Sequence, residues 1–156
     1  MELPSASEAA LEVQQIYAEH GEVTEALNDI RSAISLGRPR YELAGRLTAF
    51  VTAVERHFGS EEGLMRAIGY QGANAHAAEH QRLLVQLRGL ERDFVAGAIR
   101  QCGALALFVE VWTAQHMERQ DKGLIDFLNA HASSAMVRRA FGSHSEPMAM
   151  RAGAAA

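Results

Sequence analysis

The apolar residues of this chain fall into four stripes. After Ser5-x-x-Glu8, a pattern that caps helix starts, Ile16, His20, Val23, Leu27, Ile30 and Ile34 recur at alternating steps of four and three. That rhythm puts them on one face of a helix. Glycine and proline in LGRPR (36–40) predict a stop, after which Leu43, Leu47, Phe50, Val54, His57, Glu61, Leu64 and Ile68 repeat the rhythm. A break over 69–74 precedes a third stripe of His76, His80, Leu83, Leu87, Leu90 and Phe94, which ends near Ala96-Gly97. The fourth comprises Leu105, Val109, Trp112 and His116, then Asp121, Ile125 and Leu128. Short connections between such elements predict an all-α, up-down-up-down four-helix bundle of antiparallel neighbours. The bundle is expected to occupy residues 1–131, with residues 132–156 as a frayed tail rich in Ala, Ser, Gly, Arg and Met.

One step breaks the rhythm. From His116 to Asp121 the stripe advances by five, which turns the two side chains about 140° apart on a regular helix. Two readings account for it. A π-type bulge would realign them, as such insertions do at many functional sites; alternatively, Asp121 reaches in from the edge of a broad inward face.

Composition supports the helical reading and narrows the function. The three prolines, Pro4, Pro39 and Pro147, leave the middle of the chain free of that breaker. Cys102 is the only cysteine, so no disulfide forms within the chain, and a reducing cytoplasm is the expected setting. The acidic start lacks the layout of a secretion signal, and the apolar stretch from Gly103 to Ala114 is too short to span a bilayer. A net charge of −4 without a basic stripe argues against nucleic-acid binding.

What the stripes carry is unusual for a core. His20, His57, Glu61, His76, His80, His116 and Asp121 all occupy inward positions. His57-x-x-x-Glu61 and His76-x-x-x-His80 each place two donors one above the other on a helical face. Without a cation, buried Glu61 and Asp121 would need strong partners or raised pKa values. A nitrogen-rich set with carboxylate support suits iron, and also zinc, copper or nickel. Five imidazoles, two bridging carboxylates and one shared oxygen fill all but one of the positions on two six-coordinate metals. The remaining position would admit a small molecule.

HFGSEEGLM (57–65), HAAEH (76–80) and WTAQHMERQD (112–121), preceded by IYAEHGEVTEALN (16–28), resemble the hemerythrin family, particularly bacterial hemerythrins. The resemblance implies two iron ions joined by an oxo or hydroxo bridge. His76, His80 and His116 would hold one iron, His20 and His57 the other, and Glu61 and Asp121 would bridge them. It further implies reversible dioxygen binding at the open position of the two-histidine iron, in a pocket lined by Val23, Phe58, Trp112, Thr113 and Met117. Glu-x-x-His pairs, the mark of oxygen-activating carboxylate bundles, are absent from the sequence.

Two departures stand out. Family members commonly read Asp-x-Gln-His before the first ligand, where this chain has Tyr17-Ala18-Glu19-His20, which bears on the outer support of His20. They also tend to carry an apolar residue in place of Thr113, whose hydroxyl is expected to hasten autoxidation.

Other residues invite plainer readings. Glu62 is expected to face water, Tyr17 to be a packed aromatic, and His131 and His144 to be solvated. Cys102 falls at a glycine-flanked loop or helix start. The functional expectation is a non-enzymatic oxygen-binding protein for storage, delivery or scavenging. Its alternatives are an oxygen or redox sensor acting on a separate protein, and a di-iron oxidoreductase reacting with peroxide or nitric oxide.

Overall fold

The structure, a computed structural model, describes residues 5–100, 102–117 and 121–141; the side chains of 6, 9, 102, 104–106, 108, 112, 113 and 132–141 lie outside that description. Helix α1 runs Ala6–Ser35, α2 Arg40–Ile68, α3 Ala73–Val95, α4 Cys102–His116 and α5 Lys122–Phe141. No strand occurs among the described residues.

The expected punctuation is in place. The Ser5 hydroxyl accepts from the Glu8 amide while the Glu8 carboxylate accepts from the Ser5 amide, so both members of the capping box are formed. Pro39 caps the start of α2, where the N–H it lacks would have had no helical partner. At the other end of α2, Gly69 takes φ 64°, a left-handed conformation that costs a side-chain-bearing residue roughly 1–2 kcal/mol.

Cross-helix pairs fix the directions. Thr48 meets Glu91, Glu55 meets Arg88 and Glu62 meets His80, so α2 and α3 run in opposite senses. Glu19 with His57 and Glu22 with Arg56 do the same for α1 and α2. Arg31 with Glu110 and His20 with Asp121 set α1 antiparallel to the α4–α5 rod. The bundle is therefore up-down-up-down.

The core is split in two. Val23, Leu27, Ile30, Leu47, Phe50, Val54, Leu87, Phe94 and Val109 belong to one buried apolar cluster, and Ile16, Met65, Ile68, Leu124, Ile125 and Leu128 form another. Each large side chain so buried contributes about 1.5–3 kcal/mol. On α1 His20 falls between Ile16 of one cluster and Val23 of the other, on α2 Glu61 between Phe58 and Met65, and on the fourth rod His116 and Asp121 between Val109 and Leu124, which makes the candidate donors a polar layer between two apolar ones. Ile34, Leu64 and Leu90, expected on the inward stripes, are only half-buried.

The fourth rod is two helices rather than one. Met117 and Asp121 have π-helical backbone between α4 and α5, and 118–120 lie outside the described residues. This favours the bulge over the broad-face reading: the wider turn takes up the extra residue and brings Asp121 inward, where it is fully buried. Cys102 begins α4. Helix α5 continues to Phe141, past the expected boundary at 131; the expected tail beyond it, 142–156 with His144, lies outside the described residues.

Candidate metal centre

All seven inward donors converge. His57, Glu61, His76, His80, His116 and Asp121 are each at most 5% exposed, and His20 is half-buried at the edge. They sort into two sets whose ligand atoms lie within 4.8 Å of one another: Glu61, His76, His80, His116 and Asp121 in one, His20, His57, Glu61 and Asp121 in the other. Glu61 and Asp121 belong to both.

Asp121 is the hub. Its Oδ2 lies 2.9 Å from His20 Nε2 and 3.6 Å from His57 Nε2, and its Oδ1 lies 3.2 Å from both His76 Nε2 and His116 Nε2. One oxygen thus faces each set. Glu61 Oε2 stands 3.5 Å from His76 Nε2, 3.5 Å from His80 Nε2 and 3.8 Å from His57 Nε2.

These spacings suit a cation better than a hydrogen-bond network. Both Glu61 oxygens, Asp121 Oδ1, His57 Nε2 and His76 Nε2 are buried with no hydrogen-bond partner. Orphaned polar atoms of this kind are costly in an interior. His80 Nε2 and His116 Nε2 face each other at 3.1 Å, an approach in which two lone pairs repel unless a proton or a metal lies between them. A divalent metal satisfies all of these atoms together, so the residues fit the group.

The electrostatics agree. Burial, with Asp121 beside it, pushes Glu61 up to about 7 against the pull of His57, His76 and His20. Burial would also raise Asp121, but the imidazoles of His20, His57 and His76 outweigh it and hold Asp121 below the usual carboxylate range. Burial lowers His80 to about 4, with His76 adding to the shift and Glu62 opposing it. It lowers His116 to about 4 despite Asp121. For His57 burial is outweighed by Asp121, Glu61 and Glu19, and its pKa rises. Neutral His80 and His116 beside ionised Asp121 are in the protonation states a metal requires, whereas Glu61 and His57 are pushed toward their protonated forms and would give up those protons on binding one.

Supporting residues account for part of the arrangement. Glu62 does not face water: it is half-buried, and its Oε1 lies 3.1 Å from His80 Nδ1 because the residue after Glu61 turns toward α3. Glu19, which the inward stripes omit, is 5% exposed, and its Oε2 lies 3.3 Å from His57 Nδ1. Tyr17 is not packed: it is 57% exposed and presents its ring edge-on to His20, with centroids 6.2 Å apart. His131 stays apart from the cluster, half-buried, its Nδ1 2.9 Å from the Phe127 carbonyl.

Of the expected pocket residues, Val23 and Phe58 are buried in the larger apolar cluster and Met117 packs partly buried against it. The side chains of Trp112 and Thr113 lie outside the description. Met117 also lines a cleft of about 390 Å³ with Tyr17, His20, Lys122, Ile125, Asp126 and Asn129. Among the described residues, no helix is long and apolar enough to cross a membrane.

Comparison with known proteins agrees with this geometry. Residues 11–128 match the hemerythrin HHE cation binding domain, and the chain belongs to the hemerythrin family. It is 31% identical over 104 residues to a bacteriohemerythrin of Methylococcus capsulatus, covering 67% of this chain and 79% of that protein. A bacteriohemerythrin of Pseudomonas aeruginosa is 27% identical over 127 residues, 81% of this chain and 80% of its own length. A myohemerythrin of Sipunculus nudus is 27% identical over 78 residues, covering 50% and 59% respectively. No solved structure matches significantly.

Proposed function

We propose that this protein binds dioxygen reversibly at a non-haem di-iron centre, serving oxygen storage, delivery or scavenging in the cytoplasm without catalytic turnover. The observation that carries the reading is the pair of donor sets sharing Glu61 and Asp121. His76, His80 and His116 would hold one iron and His20 and His57 the other, with the two carboxylates and an oxo or hydroxo group between them. When bound, the irons supply the electrons and the open position that dioxygen needs.

The chain's own residues set the limits of the chemistry. Asymmetry in the imidazole count, three against two, leaves the second set with the open position. Phe58 covers three of the imidazoles, its ring centroid 3.7 Å from that of His80, 4.8 Å from His116 and 5.7 Å from His57. Together with buried Val23 it keeps water and proton donors from that side of the layer, which favours release of the gas over its further reduction.

Anaerobic reconstitution with ferrous iron, followed by air, tests the proposal. The expected result is two irons per chain and a visible absorption band that appears with oxygen and disappears on its removal. A protein that stays colourless, or takes up a single zinc, contradicts it. Sensing and peroxide or nitric-oxide chemistry would instead appear as oxygen-dependent capture of a partner protein and as turnover of those substrates.

A further inference from the structure

Among the described residues, Glu19 is the one deeply buried carboxylate outside the seven candidate donors. It has two contacts. Its Oε1 accepts a hydrogen bond from Gln15 Nε2 at 2.8 Å, one turn back on α1. Its Oε2 lies 3.3 Å from Nδ1 of His57 on α2. The opposite nitrogen of that ring, Nε2, faces Asp121 at 3.6 Å and Glu61 at 3.8 Å. The imidazole therefore lies between an outer carboxylate and the inner layer.

We infer that Glu19 is the positioning residue of His57, accepting its Nδ1–H so that the ring keeps the tautomer and orientation in which Nε2 is free to bind metal. The chemistry is general. Only one nitrogen of a neutral imidazole carries a proton, and an acceptor at Nδ1 decides which. Gln15 in turn occupies the other Glu19 oxygen, which leaves the carboxylate little freedom to swing away. The three-residue chain Gln15–Glu19–His57 thus ties α1 to the α2 donor of the two-histidine set.

The other set has a counterpart. Glu62 stands 3.1 Å from Nδ1 of His80, whose Nε2 faces inward. Each anchor adjoins a candidate ligand in sequence, Glu19 beside His20 and Glu62 beside Glu61. A single turn of helix therefore offers one donor inward and one acceptor to the imidazole of a neighbouring helix. A carboxylate that only filled space would need no partner at Nδ1 and would act on both sets alike.

This inference rests on the two-metal reading, and the test separates the two. Nitrogen-15 NMR of the metal-free full-length protein in mildly alkaline buffer reads the His57 tautomer directly. Wild type is expected to show protonated Nδ1, with Glu19→Ala shifting toward the Nε2–H form and Glu19→Gln, which keeps an acceptor oxygen, lying between. Anaerobic titration with cobalt(II) gives the second readout. Wild type should bind two ions per chain, and Glu19→Ala should weaken one of them about 10–100-fold while sparing the other. Glu62→Gln should weaken the opposite ion. An Nε2–H tautomer in wild type, a tautomer unchanged in Glu19→Ala, or equal weakening of both cobalt ions overturns the role of Glu19. Should Glu19→Ala not fold, Glu19→Gln with a wild-type tautomer and unchanged cobalt binding overturns it equally. Failure of the wild type to take up two ions, with the Nδ1–H tautomer present, overturns the two-metal reading alone.

Discussion

The ring of Phe58 lies flat on that of His80, with centroids 3.7 Å apart and planes inclined by 7°. His80 is thereby held on two sides, by Phe58 on its face and Glu62 at Nδ1, while its Nε2 faces that of His116. Phe58→Ala removes the face. It is expected to cost about 3–5 kcal/mol in the metal-free protein, measured by denaturant unfolding, because the buried ring leaves a cavity that helices cannot fully close. Phe58→Leu should recover part of that loss. A cost below about 1 kcal/mol for the alanine variant would mean that the neighbouring side chains collapse into the space.

Glu61 should destabilise the fold when no metal is present. Both its oxygens are buried without a hydrogen bond, and its pKa is pushed up to about 7. Replacing it with a similar apolar shape, Glu61→Met, is expected to stabilise the metal-free chain by about 1–3 kcal/mol. Ferrous iron should raise the unfolding midpoint of wild type and raise that of the variant, which lacks one shared carboxylate, by less. A variant less stable than wild type without metal would show that Glu61 is satisfied by protein alone.

The stability of the metal-free protein should peak near pH 6.5. His80 and His116, lowered to about 4 from 6.5, make the unfolded chain bind more protons between those values, so stability falls on acidification. Glu61, raised from 4.5 to about 7, opposes this but offsets only one of the two imidazoles, and it stops helping below 4.5. Asp121, lowered from 3.8, then adds to the loss. Above 6.5 the signs reverse, since the raised Glu61 and His57 hold protons in the fold that the unfolded chain releases. Thermal melts across this range check the shape. Stability that rises steadily with acid would contradict it.

Thr113 is the one hydroxyl-bearing residue among those the family resemblance implies for the pocket, Val23, Phe58, Trp112, Thr113 and Met117. Thr113→Leu is expected to slow autoxidation, read as the decay of the oxygenated absorption band in air. Decay as fast as in wild type, or faster, would remove the hydroxyl from the account.

Most of the fold and the seven converging residues were legible because helical periodicity and burial report the same thing. Ile16, Val23, Leu27 and Ile30 lie where the alternating steps put them, and His57, Glu61, His76 and His80 continue those steps. Glu19 and Glu62 were not legible in the same way. Each neighbours a candidate ligand on the border of an inward stripe, where a carboxylate can turn to water or to a neighbouring helix, and only the partner's position decides. A hint existed on α1, where the seven-residue step from Ile16 to Val23 leaves positions 19 and 20 both near the inward face. The exposure of Tyr17 has a related cause, since a ring can stand beside His20 and still be mostly in water.

The π-helical residues at Met117 and Asp121 make the fourth rod one residue longer than a regular helix would need. Straightening this segment into an ordinary ladder while keeping its five-residue step would turn Asp121 about 140° from His116 and carry the hub carboxylate off the inward face. The irregular turn is therefore a working part of the centre, and the same residues wound regularly would leave a bundle with one shared carboxylate, Glu61, in place of two.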